Sequence, residues 1–299
     1  MKGDLKLARS AADTALAKTT VPNLRAAALY NQGRSCEAAK DTKGAMDAYR
    51  RSLKLRQSDE VTSRLAALDP ATPAAHPLKP QQLAGPFASE AAYCKREMEE
   101  YVRRMKTPEF HCPVDFEEME GIKLQSSLAA PPAPFKAVKV LSSSGQDLSV
   151  NVCHILMQTP AGWYGTSIES YSGCVPTGLT ILPRPTGLPP LIQVRLAMSV
   201  LIGSEDNPAA RQHPFYVDMA VLCAIGPSGK PACTESLSVA RAHQPRPSQE
   251  EPPKPLDWFD RRRLSLDASG AVRVEVDGWQ FGDELTESRF LGTHRIAFR

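Results

Sequence analysis

Five prolines fall within the 18 residues of "DPATPAAHPLKPQQLAGP", positions 69–86. Proline fixes φ and lacks a backbone donor, so no helix can run through this stretch, and its composition predicts a stiff, extended spacer. The rest of the chain divides around it. Before it, apolar residues recur at helical spacing; after it come one helical pattern and then a period of two. The expected architecture is α+β in two parts: a helical region over 1–68, a proline-rich linker over 69–86 and a mainly antiparallel β domain over 87–299. A chain of 299 residues is long enough for two cores.

The β domain opens with "SEAAYCKREMEEYVRRMK", 89–106. Ser89 stands where an N-cap belongs and Glu90 lies in the first turn. Cys94, Met98, Tyr101 and Met105 share one face, while Glu99/Arg103 and Glu100/Arg104 are i,i+4 pairs on another. This predicts one amphipathic helix docked on a sheet. From about residue 135 the alternation is that of strands: Val194, Leu196, Met198, Val200 and Ile202 on one, and Phe215, Val217, Met219, Val221 and Cys223 on another. Hairpins are expected with turns near Pro160–Gly162 and at Asp267–Gly270, and a last strand at "GTHRIAF". Strands without intervening helices predict an antiparallel β-sandwich or open barrel, interrupted by an exposed Pro-rich loop over 243–257.

The helical region holds 13 lysines and arginines against 7 acidic residues; the whole chain's net charge of +3 argues neither for nor against nucleic acid, and no nucleic-acid partner is expected. In "NQGRSCEAAKDTKGAMDAYRRSLKLR", 31–56, two helical segments flank a turn. Leu29 and Gly33 stand four apart on the first helix, and Ala45 and Tyr49 four apart on the second. "GDLKLARSAADTALAK" at 3–18 aligns with "KDTKGAMDAYRRSLKL" at 40–55 at a constant offset of 37, with Asp4/Asp41, Lys6/Lys43, Ala8/Ala45, Ala11/Ala48 and Leu16/Leu53 identical. Over about 3–68 the chain resembles the tetratricopeptide repeat: one and a half units and a further amphipathic helix bearing Val61, Leu65 and Leu68. Gln32, Cys36, Ser52 and Gln57 depart from that pattern. The resemblance implies helical hairpins that bind other proteins, with Leu29, Gly33, Ala45 and Tyr49 as packing positions. About three repeats are usually needed to bury such a face. The expectation is therefore that sequence upstream of Met1 is missing, or that another surface covers the helices.

Cysteines stand at 36, 94, 112, 153, 174, 223 and 233, with no CxxC that would suggest a zinc site. Cys36 occupies a core position of a repeat helix. The other six are compatible with three bridges in any of 15 pairings. Cys223–Cys233 flanks a hairpin-like turn, Cys94–Cys112 would tether the helix to the following segment, and Cys153–Cys174 follows by elimination, although hairpin register does not place those two opposite each other. If the cysteines from Cys94 to Cys233 are bridged, the chain is exported to a periplasm, cell envelope or exterior; otherwise it is cytoplasmic. No hydrophobic run is long enough for a transmembrane helix.

No GxSxG or HExxH occurs, and no cofactor or metal is implied. "GPSGKPACT", 226–234, lacks the spacing of a phosphate loop. The neighbours Cys153 and His154 point to opposite faces of a strand, which prevents their converging on one ion or one reaction. Trp163, Tyr164, Trp258 and Trp279 sit at or beside turns and form the candidate aromatic surface for a polysaccharide. The leading expectation is a non-catalytic protein–protein interaction or scaffolding protein acting through its helices. A carbohydrate- or envelope-binding β-sandwich is the alternative, and a hydrolase on an unrecognised β scaffold the third.

Overall fold

A computed structural model of the chain describes residues 2–69, 71–105, 114–115, 126–144, 151–170, 174–185, 187–200, 215–243, 257–279 and 290–298. The fold is α+β and divides into two compact units. The first comprises Met1–Leu78, Arg262–Asp277 and Glu284–Ile296; the second comprises Lys79–Arg261, Gly278–Asp283 and Ala297–Arg299. The helical unit thus recruits a C-terminal hairpin that the sequence assigns to the β domain. No helix among the described residues is long and apolar enough to cross a membrane.

Four helices build the first unit: α1 (Lys2–Lys18), α2 (Pro22–Ala38), α3 (Thr42–Leu55) and α4 (Asp59–Leu68). Pro22 opens α2, where its missing N–H costs nothing. Asp41 caps α3 through Gly44 N, and Ser58 caps α4 through Val61 N. Cys36, Ala45, Tyr49, Val61 and Leu65 form the core of the helices, with Leu53 and Leu68 packed against it. The same unit takes the end of strand β12 (Asp257–Leu266), then β13 (Val272–Trp279) and β14 (Gly292–His294). The β12–β13 turn is built as expected: Gly270 N donates to Asp267 O, and the Asp267 carboxylate accepts from Ser269 N and Ala271 N.

The strand β14 packs against α4. Gly292 has φ +116°, and a Cβ there would stand 2.6 Å from the Ala66 Cβ, so glycine is needed both for conformation and for approach. The first half of the proline-rich stretch is fastened to the same strand. Pro73 bridges to Thr293, and Leu78 N donates to His294 Nδ1 at 3.2 Å. Since Nδ1 accepts, Nε2 carries the proton and donates to Phe290 O at 2.6 Å.

The second half of that stretch corrects the expectation of a free spacer over 69–86. It forms β1 (Pro80–Gln82) and β2 (Ala84–Phe87). These strands join different sheets: Gln81 lies opposite Cys233, and Ala84 opposite Gly165. Leu83 between them is buried in the core and donates its N–H to Pro231 O. Prolines are compatible with strands here because β1 and β2 are edge strands, where one row of backbone donors is unneeded.

One sheet of the second unit runs β1-β10-β9-β11-β12, with β8 on the other side of β9 and β7 beyond it; these are β7 (Cys174–Leu182), β8 (Leu191–Val200), β9 (Phe215–Ile225), β10 (Pro231–Thr234) and β11 (Leu237–His243). The other runs β2-β6-β5-β4-β3, with β3 (Val114–Asp115), β4 (Ala137–Ser144), β5 (Asn151–Thr159) and β6 (Gly162–Ser170). All described pairings in this unit are antiparallel, as the alternation predicts. Side chains from both sheets share one core, among them Val138, Val140, Ile155, Met157, Ile192, Val194, Leu196 and Val221. The expected loop over 243–257 lies outside the described residues apart from its two ends, which belong to β11 and β12.

Two disulfides lock this core. Cys223 and Cys233 are direct cross-strand partners on β9 and β10. Cys153 of β5 and Cys174 of β7 join the two sheets, with Cα atoms 5.7 Å apart. The expected Cys94–Cys112 bridge involves Cys112, which lies outside the described residues. Cys36 is a buried free thiol.

Two outcomes are expected. Alkylation of protein denatured without reductant should label Cys36 and spare Cys153, Cys174, Cys223 and Cys233, and reduction should cost about 3 kcal/mol per bridge in denaturant melts. Labelling of all seven cysteines would contradict the pairing. His294→Ala should lower the stability of the helical unit by about 2–4 kcal/mol, because it removes both buried hydrogen bonds of the imidazole and its packing. Denaturant titration followed by helical circular dichroism measures this.

Candidate functional site

The helical unit is held by a polar clamp that the sequence does not announce. Glu37 of α2 accepts from Tyr49 Oη of α3 at 2.6 Å and pairs with Arg64 of α4 at 3.3 Å, and both charged side chains are at most 10% exposed. Burial first, and the Glu37 carboxylate second, raise the Tyr49 phenol far above its ordinary range, so it remains a donor. Gly33 makes the α2–α3 approach feasible: a Cβ there would lie 2.4 Å from Tyr49 Cε1. Leu29, Ala45 and Tyr49 are buried, at 2%, 0% and 0% exposure. The residues that depart from the repeat pattern have local roles. Ser52 donates to Ala26 O, Gln32 donates to Asp13 Oδ1 of α1, and Cys36 joins the core.

The outer side of this unit is different. Among the described residues of α1, only Ala12 is buried. Leu7 is 70% exposed, and Val21 and Leu24, at the start of α2, are 51% and 58% exposed.

A second feature lies in the β unit, beneath α5 (Glu90–Met105). Ser89 caps α5 through Ala92 N, as predicted. Glu90 pairs with Lys139 of β4 at 3.0 Å, and Lys139 lies over the Trp163 ring. The helix docks through Tyr93, which is fully buried with Leu141, Leu156 and Trp163. Gly165 of β6 stands opposite Leu156 in register and leaves the space that Tyr93 fills; a Cβ there would lie 2.4 Å from the ring. Tyr93 Oη and His154 Nδ1 are 2.8 Å apart.

Next to this pair opens a cleft of about 220 Å³. His154 and Ser167, neighbours across β5 and β6, line its sheet side, and Glu97, Glu100, Tyr101 and Arg104 line its helix side. Arg96 reaches both Glu97 and Glu100 at 3.3 Å. Burial raises the Glu97 carboxyl, opposed by Arg96 and by a hydrogen bond with Ser167. Burial alone pulls His154 down to about 4, and burial chiefly raises Tyr93, so the Tyr93–His154 pair is uncharged at neutral pH.

The aromatic surface expected from sequence is not assembled by Trp163 and Tyr164, a correction to that reading. Trp163 is 8% exposed under α5 and Tyr164 is 2% exposed in the inter-sheet core. Alternation across the pleat places both inward because the five-stranded sheet is covered on its two faces. Trp258 lies on β12 opposite Ala242, and Trp279 ends β13; their side chains lie outside the described residues. Cys153 and His154 do diverge as expected, one to a disulfide and the other to Tyr93. Sequence reasoning did not single out Tyr93, Glu97 or Arg96. The available signal was the i, i+4 spacing of Tyr93 and Glu97, continued by Tyr101, on one face of α5. No protein-family model, curated protein or solved structure matches the chain.

The buried His154 gives a pH signature. Its imidazole takes up a proton near pH 6.5 when unfolded but only near pH 4 when folded. Its contribution to stability is therefore complete above pH 6.5 and is lost as pH falls toward 4, by about 3 kcal/mol. Melts of wild type and His154→Gln between pH 8 and 4 should converge over this window; a constant difference would exclude the assignment.

Proposed function

We propose that the chain is a non-catalytic protein-binding protein that engages a partner through its helical unit. The observation carrying this reading is the open face of α1 and the start of α2, where Leu7, Val21 and Leu24 stand 70%, 51% and 58% exposed. The tetratricopeptide resemblance points the same way, and the Gly33–Tyr49 approach beside buried Ala45 supports it. Helical repeats have no self-contained core, so a helix such as α1 that buries little is suited to receive another surface. The β unit, read as a sandwich of two sheets around a common core, serves as the rigid accessory part. Its two disulfides support export to an oxidising compartment, where such bridges persist.

The test compares captured proteins. Full-length wild type and the Leu7→Glu/Leu24→Glu variant are used as baits in extracts of the native source, with bound proteins quantified by mass spectrometry. A partner retained by wild type should fall about tenfold or more on the variant, since placing a charge in a desolvated apolar contact costs more than 1.4 kcal/mol. Equal capture by both baits would sink the reading. Both substituted positions are exposed, so the variant should melt as wild type does.

A further inference from the structure

We propose that the cleft between α5 and strands β5 and β6 is a binding site for a small neutral polyhydroxylated ligand, a mono- or disaccharide. This goes beyond the partner-binding role, which concerns the other unit. Three observations carry it.

The first is how the cleft is made. Tyr93 fills the space over Gly165, while the neighbouring row across the two strands holds His154 and the short Ser167. The helix is thus propped against the sheet at one row and leaves about 220 Å³ beside the next. That is below the volume of drug-sized pockets, about 300–1,000 Å³, and suits a ligand of one or two rings.

The second is charge. Arg96 and Arg104 face Glu97 and Glu100, so these four groups carry no net charge. Arg96 already pairs with both carboxylates. Such a lining supplies no excess field for a phosphate or a metal cation. It does supply planar guanidinium donors beside planar carboxylate acceptors, the combination that meets vicinal hydroxyls, each of which both donates and accepts.

The third is desolvation. The Glu97 carboxylate is drawn out of water between α5 and Ser167, at a cost that burial imposes on its charged form. A ligand hydroxyl donating to it offsets that cost with a charge-assisted hydrogen bond. Tyr101, two turns after Tyr93, also lines the cleft, and an aromatic ring there is the group on which the apolar side of a pyranose stacks.

Ligand-observed saturation-transfer NMR on the full chain tests this with a panel of common mono- and disaccharides, and with inorganic phosphate and free amino acids as comparators. At least one saccharide should bind. Glu97→Ala and Tyr101→Ala should each weaken it about tenfold, the value of one lost hydrogen bond or stacking contact. Lys230→Ala, in the exposed turn between β9 and β10, should bind as wild type does. Thermal melts identify any variant that fails to fold, and Ser167→Ala, a smaller change in the same cleft, then takes its place. The proposal is overturned if no saccharide binds, if a comparator binds instead, or if the cleft variants bind undiminished.

Discussion

Strand β5 is buried on both faces, and the β unit depends on that. Its odd-numbered residues, Cys153, Ile155 and Met157, enter the core between the sheets, while His154 and Leu156 face α5. One strand therefore holds three layers in register: the far sheet through the Cys153–Cys174 bridge, its own sheet through pairing with β4 and β6, and the helix through His154 and Leu156. A slip of one residue would exchange the two sets and place an imidazole among the inter-sheet aliphatics. The bridge opposes such a slip, since only position 153 can reach Cys174. The cleft beneath α5 exists because this register sets Gly165 under Tyr93 and Ser167 beside His154.

In the helical unit the equivalent constraint is polar. A buried Glu37 is tolerable only because Tyr49 and Arg64 both reach it, and those two residues belong to different helices. The clamp therefore fixes the relative setting of α2, α3 and α4 more narrowly than the small apolar residues around it can. Its far side is completed by the C-terminal hairpin, which places Gly292 against Ala66 of α4 and has Arg273 donate to Ala67 O. The helices thus gain a packed layer from residues near the other end of the chain. The opposite side, at α1, gains none among the described residues of this chain, and the exposed Leu7 and Leu24 follow from that asymmetry.

What could be read from the sequence was what is local. The turn at Asp267–Gly270, the β5–β6 hairpin, the Ser89 cap and the Cys223–Cys233 pair all depend on residues close together in the chain, and each pattern has a single sensible geometry. The Cys153–Cys174 bridge was reachable only by elimination, because it crosses between sheets rather than along a hairpin. The prolines of 69–86 suggested a spacer because proline forbids helices; it does not forbid edge strands, and local composition cannot tell which edges are vacant. The recruitment of 262–296 by the helices was invisible, since a strand pattern carries no information about which unit it joins. On α5 the stripe of Cys94, Met98 and Tyr101 drew attention away from Tyr93, whose burial follows from a glycine more than 70 residues later.

The odd cysteine bears on where the protein can work. An oxidising compartment that maintains Cys153–Cys174 and Cys223–Cys233 would also act on an accessible seventh thiol, by exchange with those bridges or by linking two chains. Exchange requires a thiolate with access to a disulfide sulfur. Cys36 is only 3% exposed in the helical core, and burial raises its thiol above the usual range, so it has little of either. The same packing that makes Cys36 a small apolar residue beside Tyr49 therefore allows a free thiol to coexist with the two disulfides of the described residues. Loss of the helical core would remove that protection, and mispairing of the bridges would follow from unfolding of a unit that contains neither of them.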